Sequence, residues 1–246
     1  KHPGLKVMHI PDLDFETHYH TFIEALKAIK SWSDAYPDHL PVYVMIEAKT
    51  QTVGDVLSFL DFVAAEPWDE ENIASIEKEI LQVFSRQQII APDDIRRGYP
   101  TLREAVLTEG WLTIGEVRGK VMFMFDGEEI SRNYKGNQQS LEGKLIFTDA
   151  DPSDPDAAYV KMNNPTYPDI QSLVEQGFMV RSMVGGVYEN RANDYSKFEL
   201  AKNKGVHFLS TDYYKPDERA GKVAGWTDFT IGLEQHSYRM NPVTNR

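Results

Sequence analysis

Val42-Tyr43-Val44-Met45-Ile46-Glu47-Ala48-Lys49 is an apolar run that stops abruptly in charge. Five apolar residues in a row, with no alternation, read as a strand covered on both faces, as in a parallel sheet. Helical spacing flanks it. Before it, Phe22, Ile23, Leu26 and Ile29 mark a helix over residues 21–32, stopped by Pro37. After it, residues 53–65 and 72–84 repeat the helical period. Further outward, strands are predicted at 5–10, 120–125, 145–148, 178–181 and 206–211, with a short extended piece at 159–162. Thr101 with Glu104 opens a helix over 101–107 as a capping box, and Thr113 with Glu116 has the same spacing. Helices over 169–176 and 195–203 stop at Gly177 and Gly205. A turn-rich stretch covers 91–100, and the tail from Tyr213 has no clear period.

Strands alternating with helices predict an α/β fold with a parallel sheet and helices outside it. There is no linker and no fixed repeat, so residues 1–246 read as one domain. A polar residue recurs at or just past each strand end: His9, Glu47, Lys49, Asp126, Asp149, Arg181 and Asp212. In a (β/α)8 barrel that face carries the chemistry. An open doubly wound sheet uses the same ends near its switch point, usually with a Gly-rich phosphate loop, and no such loop occurs here. Six strands are counted where a closed barrel needs eight.

Hydrophobic residues make up 41% of the 246, enough for a sizeable core, and charged residues 26%. Lys plus Arg is 26 against 38 Asp plus Glu, a net charge of −12. Such a chain lacks the basic footprint of a nucleic-acid binder and does not adhere to an anionic membrane through net charge. With no cysteine, disulfides, thiolate zinc sites and a Cys nucleophile are excluded. No apolar run approaches the length of a transmembrane helix.

Glu47-x-Lys49 puts a carboxylate and an ammonium on the same side of an extended segment. The carboxylate can hold a hard cation and the ammonium can meet a phosphate oxygen. His9 can serve as general acid or base. Together these suit phosphodiester chemistry; singly, a Glu-Lys pair is more often a solvated ion pair and a lone His more often structural. His18 and His20 flank Tyr19 ahead of a helix and point apart. The Asp- and Pro-rich residues 149–156 lack calcium-loop spacing and read as plain loop. Trp68, Trp111 and Trp226 read as packing under loops.

The chain resembles the calcium-dependent phosphoinositide phospholipase C family in ordered motifs along its whole length. These include His9-Ile10-Pro11-Asp12-Leu13-Asp14-Phe15, Pro37-Asp38-His39-Leu40-Pro41, Ile46-Glu47-Ala48-Lys49, Thr101-Leu102-Arg103-Glu104-Ala105, Asp156-Ala157-Ala158-Tyr159-Val160-Lys161, Phe178-Met179-Val180-Arg181 and Ser210-Thr211-Asp212-Tyr213. The resemblance implies a (β/α)8 TIM-type barrel of the phospholipase C-like phosphodiesterase kind. It implies cleavage of a phosphodiester by a neighbouring inositol hydroxyl, with calcium and two histidines. His9 would be the second histidine. Glu47 would be a calcium ligand and would help to deprotonate the attacking hydroxyl. Lys49, Asp126, Arg181, Asp212 and Tyr213 would contact substrate. The implied partner is a phosphoinositide-type lipid met at a membrane surface; no protein partner and no nucleic acid are inferred. The implied location is extracellular or periplasmic.

The family's Thr-His-Asn-like and Glu-x-Asp-like strand ends do not occur ahead of Leu5. The expectation is therefore a barrel without its first two strands, its first histidine and most calcium ligands, silent and weakly calcium-binding as it stands. Two other readings stay open: a catalytically silent barrel that binds an anionic headgroup or sugar, and a glycerophosphodiester phosphodiesterase.

Overall fold

A computed structural model describes residues 3–10, 14, 16–49, 66–233 and 238–244. The chain divides into two compact units, Lys1–Leu102 with Trp111–Asp149, and Arg103–Gly110 with Ala150–Arg246. The helix expected over 53–65 lies outside the described residues.

The first unit is organised by β3 (Val121–Phe125), whose five residues are all buried. β1 (Val42–Ile46) pairs with it in parallel along its whole length, from Val42 opposite Val121 to Ile46 opposite Phe125. β2 (Ile89–Ile90) pairs with its first two residues and β4 (Ile146–Phe147) with the next two, both in parallel. The rings of Phe84 and Phe123 meet edge to face at 5.9 Å. Such a strand has no solvated face, which is why its sequence reads Val-Met-Phe-Met-Phe without alternation. Gly119 makes its start possible: φ is +71° and a side chain there would collide with the Pro37 carbonyl.

Helices cover this sheet. α1 (Phe22–Ala35) opens on the capping box of Thr21 and Glu24, each side chain accepting from the other's backbone N–H. α2 (Glu70–Val83) is capped by Asp69 and buries Ile73, Ile76 and Ile80. The short α3 (Pro92–Arg96) follows β2, α5 (Ile114–Val117) precedes β3 and α6 (Glu128–Lys135) follows it. Tyr134 on α6 ties three elements together. Its hydroxyl donates to Glu77 on α2 and accepts from the N–H groups of Leu145 and Ile146, both 3.0 Å away. Burial, then the Glu77 carboxylate, pushes its phenol far above the ordinary range.

The second unit holds a three-stranded parallel sheet in the order β5 (Tyr159–Lys161), β6 (Met179–Gly185), β7 (Phe208–Thr211). α4 (Leu102–Thr108) sends Arg103 to this unit, its N–H and Nε donating to the carbonyls of Pro155 and Pro152. α7 (Ile170–Gln176) ends at Gly177, φ +103°, and returns the chain to β6. α8 (Val187–Ala192) follows β6, and α9 (Ser196–Asn203) leads to β7. The Asp-rich loop is a set of turns, one held by Asp151 accepting from the Ser153 N–H and hydroxyl.

Two expectations need correction. Residues 5–10 are not a strand: they form only isolated antiparallel bridges, Lys6 with Thr21 and Ile10 with Asp14. Their backbone groups are spent on the returning chain, Val7 N–H on His20 and the Leu5 carbonyl on Phe22, so they join no parallel ladder. α3 lies in the stretch 91–100 read as turns, and β2, just before it, has no reading in the sequence because two buried isoleucines are too short a run to show a period. The described strands pair as two parallel sheets, one in each unit, and among the described residues neither sheet closes on itself.

Two measurements test this account. Phe123→Ala should cost about 3–5 kcal/mol in urea unfolding, the scale for emptying a buried aromatic site. Tyr134→Phe should cost about 1–3 kcal/mol, because buried backbone N–H groups and Glu77 lose their shared partner; an unchanged midpoint would mean that the three elements are held otherwise.

Candidate functional site

Ile46 and Phe125 end β1 and β3 as register partners, and the Asp126 N–H donates to the Ile46 carbonyl at 2.9 Å. The ladder thus delivers Glu47 and Asp126 to the same end of the sheet, on strands about 5 Å apart. Here Gly127 has φ +141°, a conformation only glycine adopts readily, and it swings the chain from β3 into α6. The result is a cleft of about 360 Å³ lined by Glu47, Ala48, Lys49, Asp126, Gly127 and the first turn of α6, Glu128 to Ile130. Glu47 is exposed, while Lys49 and Asp126 are half-buried. Trp68 pins the far side by donating its indole N–H to the Lys49 carbonyl at 2.9 Å.

Four carboxylates against one ammonium make this cleft negative. Its field favours a cation, and an anionic phosphate entering alone meets repulsion from all but Lys49. Among the described residues, however, no three carboxylate or imidazole side chains are grouped to hold a metal ion. Glu47 is therefore at most part of a calcium shell that takes roughly six to eight oxygens. These residues do not amount to a calcium site, and no chemical step is derived through one.

His9 stands outside the cleft lining. It sits in the N-terminal turn, exposed, with Nδ1 2.8 Å from the Asp14 carboxylate. A carboxylate on one ring nitrogen orients the imidazole and leaves Nε2 directed elsewhere. The bridge between Ile10 and Asp14 creates this pair, not a strand end.

The other expected residues belong to the second unit. Arg181, on β6, is buried in the sheet, with its guanidinium donating to Ser210 Oγ on β7 at 2.9 Å and to Asn163. Asp212 is exposed just past β7, its N–H donating to the Gly185 carbonyl at 2.9 Å. Tyr213 is buried, its ring edge-on to Phe229 at 6.0 Å, and burial followed by the carboxylates of Asp217 and Asp212 pushes its phenol up.

The structure thus brings Glu47, Lys49 and Asp126 together in one cleft. Sequence reasoning missed Glu128 and Glu129 on its wall and Asp14 beside His9. The signal for the first two was present in Asp126-Gly127-Glu128-Glu129, a strand end, a glycine turn and acidic residues fit for a helix start.

Solved structures share this fold. A Ca2+-dependent phosphatidylinositol-specific phospholipase C from Streptomyces antibioticus matches with a TM-score of 0.59 and 18% identity, over 81% of this chain and 72% of that one. A calcium-dependent phosphoinositol-specific phospholipase C from a Pseudomonas species matches with a TM-score of 0.58 and 16% identity, over 83% of this chain and 68% of that one. The same enzyme with myo-inositol matches with a TM-score of 0.57 and 14% identity, over 78% and 64% of the two chains, so this chain spans less than two thirds of that one. Identities this low show the fold alone. No curated protein sequence matches the chain. The profile of the family described as phosphoinositide phospholipase C, Ca2+-dependent, matches residues 1–242. That match runs through every strand and helix described above, and the chain belongs to the Ca2+-dependent phosphoinositide phospholipase C family.

Proposed function

We propose that the chain carries catalytic residues of a phosphoinositide-type phosphodiesterase, in a fold of the (β/α)8 kind. The observation that carries this reading is the meeting of Glu47, Lys49 and Asp126 at the paired ends of β1 and β3. Family membership supports the lipid class, and the parallel register of every strand pair described supports the barrel class. The activity is a phospholipase C reaction at a membrane surface outside the cytoplasm. Among the described residues no helix is long and apolar enough to cross a membrane.

Each residue has a task its chemistry allows. The Lys49 ammonium offsets charge on the phosphoryl oxygens. The Glu47 carboxylate accepts a proton from the attacking inositol hydroxyl. His9, oriented by Asp14, gives a proton through Nε2 to the leaving glycerol oxygen. Asp126, half-buried in the cleft lining, accepts from an inositol hydroxyl. Arg181 and Tyr213 are buried, so in this reading they position the loops after β5 and β7 and do not touch the lipid. The family's description as Ca2+-dependent supports a calcium requirement for turnover.

Turnover of phosphatidylinositol should vanish on chelation of calcium and return on its addition; full activity in chelator would overturn the assignment. Glu47→Gln and His9→Ala in the protein carrying this chain should each lower kcat by roughly 10² to 10⁴, the scale for loss of general acid–base help. Both side chains are exposed, so thermal midpoints should not move. Near-normal turnover in a folded variant would remove that residue from the mechanism. Hydrolysis of glycerophosphodiesters in preference to phosphatidylinositol would replace the substrate class.

A further inference from the structure

At the C-terminal ends of β6 and β7 the second unit exposes aromatic side chains. Gly186 and Asp212 lie side by side there: a Cβ on Gly186 would stand 3.8 Å from the Asp212 carboxylate. α8 leaves from one side of that contact and residues 213–226 from the other. Tyr188, the second residue of α8, is 80% exposed, and Tyr214 is 70% exposed. Val187 on α8 and Val223 in the 213–226 segment are each about half exposed. Exposed tyrosines gain little in water. With an apolar ring and a polar tip, they suit the boundary between headgroups and acyl chains.

Cations accompany them. Trp226 is half-buried between two guanidiniums, Arg219 at 3.3 Å and Arg191 at 4.8 Å from its ring centroid. This stack links α8 to the 213–226 segment and makes one surface of the two. Arg219 also holds Asp217 at 2.8 Å, which keeps that carboxyl down at about 2. Arg191 has no carboxylate within ion-pair distance among the described residues, and it lies one turn from Tyr188 on the same helix face. Lys215 stands 5.8 Å over the Tyr214 ring. Glu189 of α8 is buried and paired with Lys197; of the charges left at the surface, Arg191, Lys215, Arg219 and Lys222 outnumber Asp212, Asp217 and Glu218 by one, in a chain whose net charge is −12.

We infer that α8 and residues 213–226 form the surface by which this chain docks on an anionic lipid bilayer. The charge contrast selects this occupant. The chain as a whole is repelled by an anionic surface, so only a locally positive patch lets it approach, and that sets its orientation. The exposed tyrosines then supply the apolar insertion that charge alone does not. The inference rests on the phosphoinositide reading for its purpose, since an enzyme for a bilayer lipid must hold the bilayer, but its test does not depend on catalysis.

The chain is sedimented with vesicles of phosphatidylcholine, with and without phosphatidylglycerol, so that no inositol headgroup takes part. Binding should require the anionic lipid and weaken with added salt. The double variant Tyr188→Ser, Tyr214→Ser should lower partitioning roughly tenfold. Arg191→Ala should lower it about fivefold on anionic vesicles and leave neutral ones unaffected, the scale for one cation at such a surface. Thermal midpoints and hydrolysis of a water-soluble inositol phosphodiester should match the unaltered protein. Failure of the catalytic reading would show as no turnover of the soluble substrate, with vesicle binding intact. No binding to anionic vesicles, or partitioning of the tyrosine variant equal to that of the unaltered chain, would overturn the inference.

Discussion

The first unit depends on the burial of β3. Five apolar residues sit out of water with both backbone edges paired, by β1 along one and by β2 then β4 along the other. Each of the other three strands reaches the core through it. A buried backbone that could not complete its ladder would leave several polar groups unsatisfied, each costing about 1–3 kcal/mol. That penalty holds the register, and the register places Ile46 level with Phe125. The position of Glu47 beside Asp126 is thus a consequence of sheet pairing.

Downstream of this constraint, the cleft is made by a change of direction. β3 ends at Asp126, Gly127 turns, and α6 starts with two acidic residues whose charge suits a helix N-terminus. The same carboxylates that help to start the helix make the cleft negative. Tyr134, at the other end of α6, anchors the helix to Glu77 and to the backbone of β4. The cleft wall is therefore held at both ends by polar groups with satisfied partners. The second unit uses a comparable device: Arg181 crosses from β6 to Ser210 on β7 and to Asn163 beyond β5, spending its charge inside the sheet.

Much of this was legible along the chain. Wholly apolar runs at 42–46 and 121–125 announced parallel strands, of which the second is fully buried while the first is only half-buried, with Tyr43 exposed, and the polar residues after them marked the strand ends that meet in the cleft. The helical spacing of Phe22, Ile23, Leu26 and Ile29 located α1. What failed was local. Leu5 to Ile10 has the apolar content of a strand, but strand formation needs a partner, and Thr21 and Asp14 of the returning chain captured its backbone first. Ile89 and Ile90 form a strand because β3 offers them an edge; two residues carry no period of their own.

The amino-acid order by itself determined the element types, the parallel α/β class, the family, and the presence of Glu47, Lys49 and Asp126 at strand ends. These follow from periodicity, turn chemistry and ordered motifs, which are local properties. Tertiary structure alone decided that those three residues share one cleft, that Glu128 and Glu129 join them, that His9 pairs with Asp14 outside its lining, and that Arg181 and Tyr213 are buried. Such outcomes depend on which strand edge meets which. That is settled by long-range burial and hydrogen bonding between residues far apart in the chain, which no local pattern encodes.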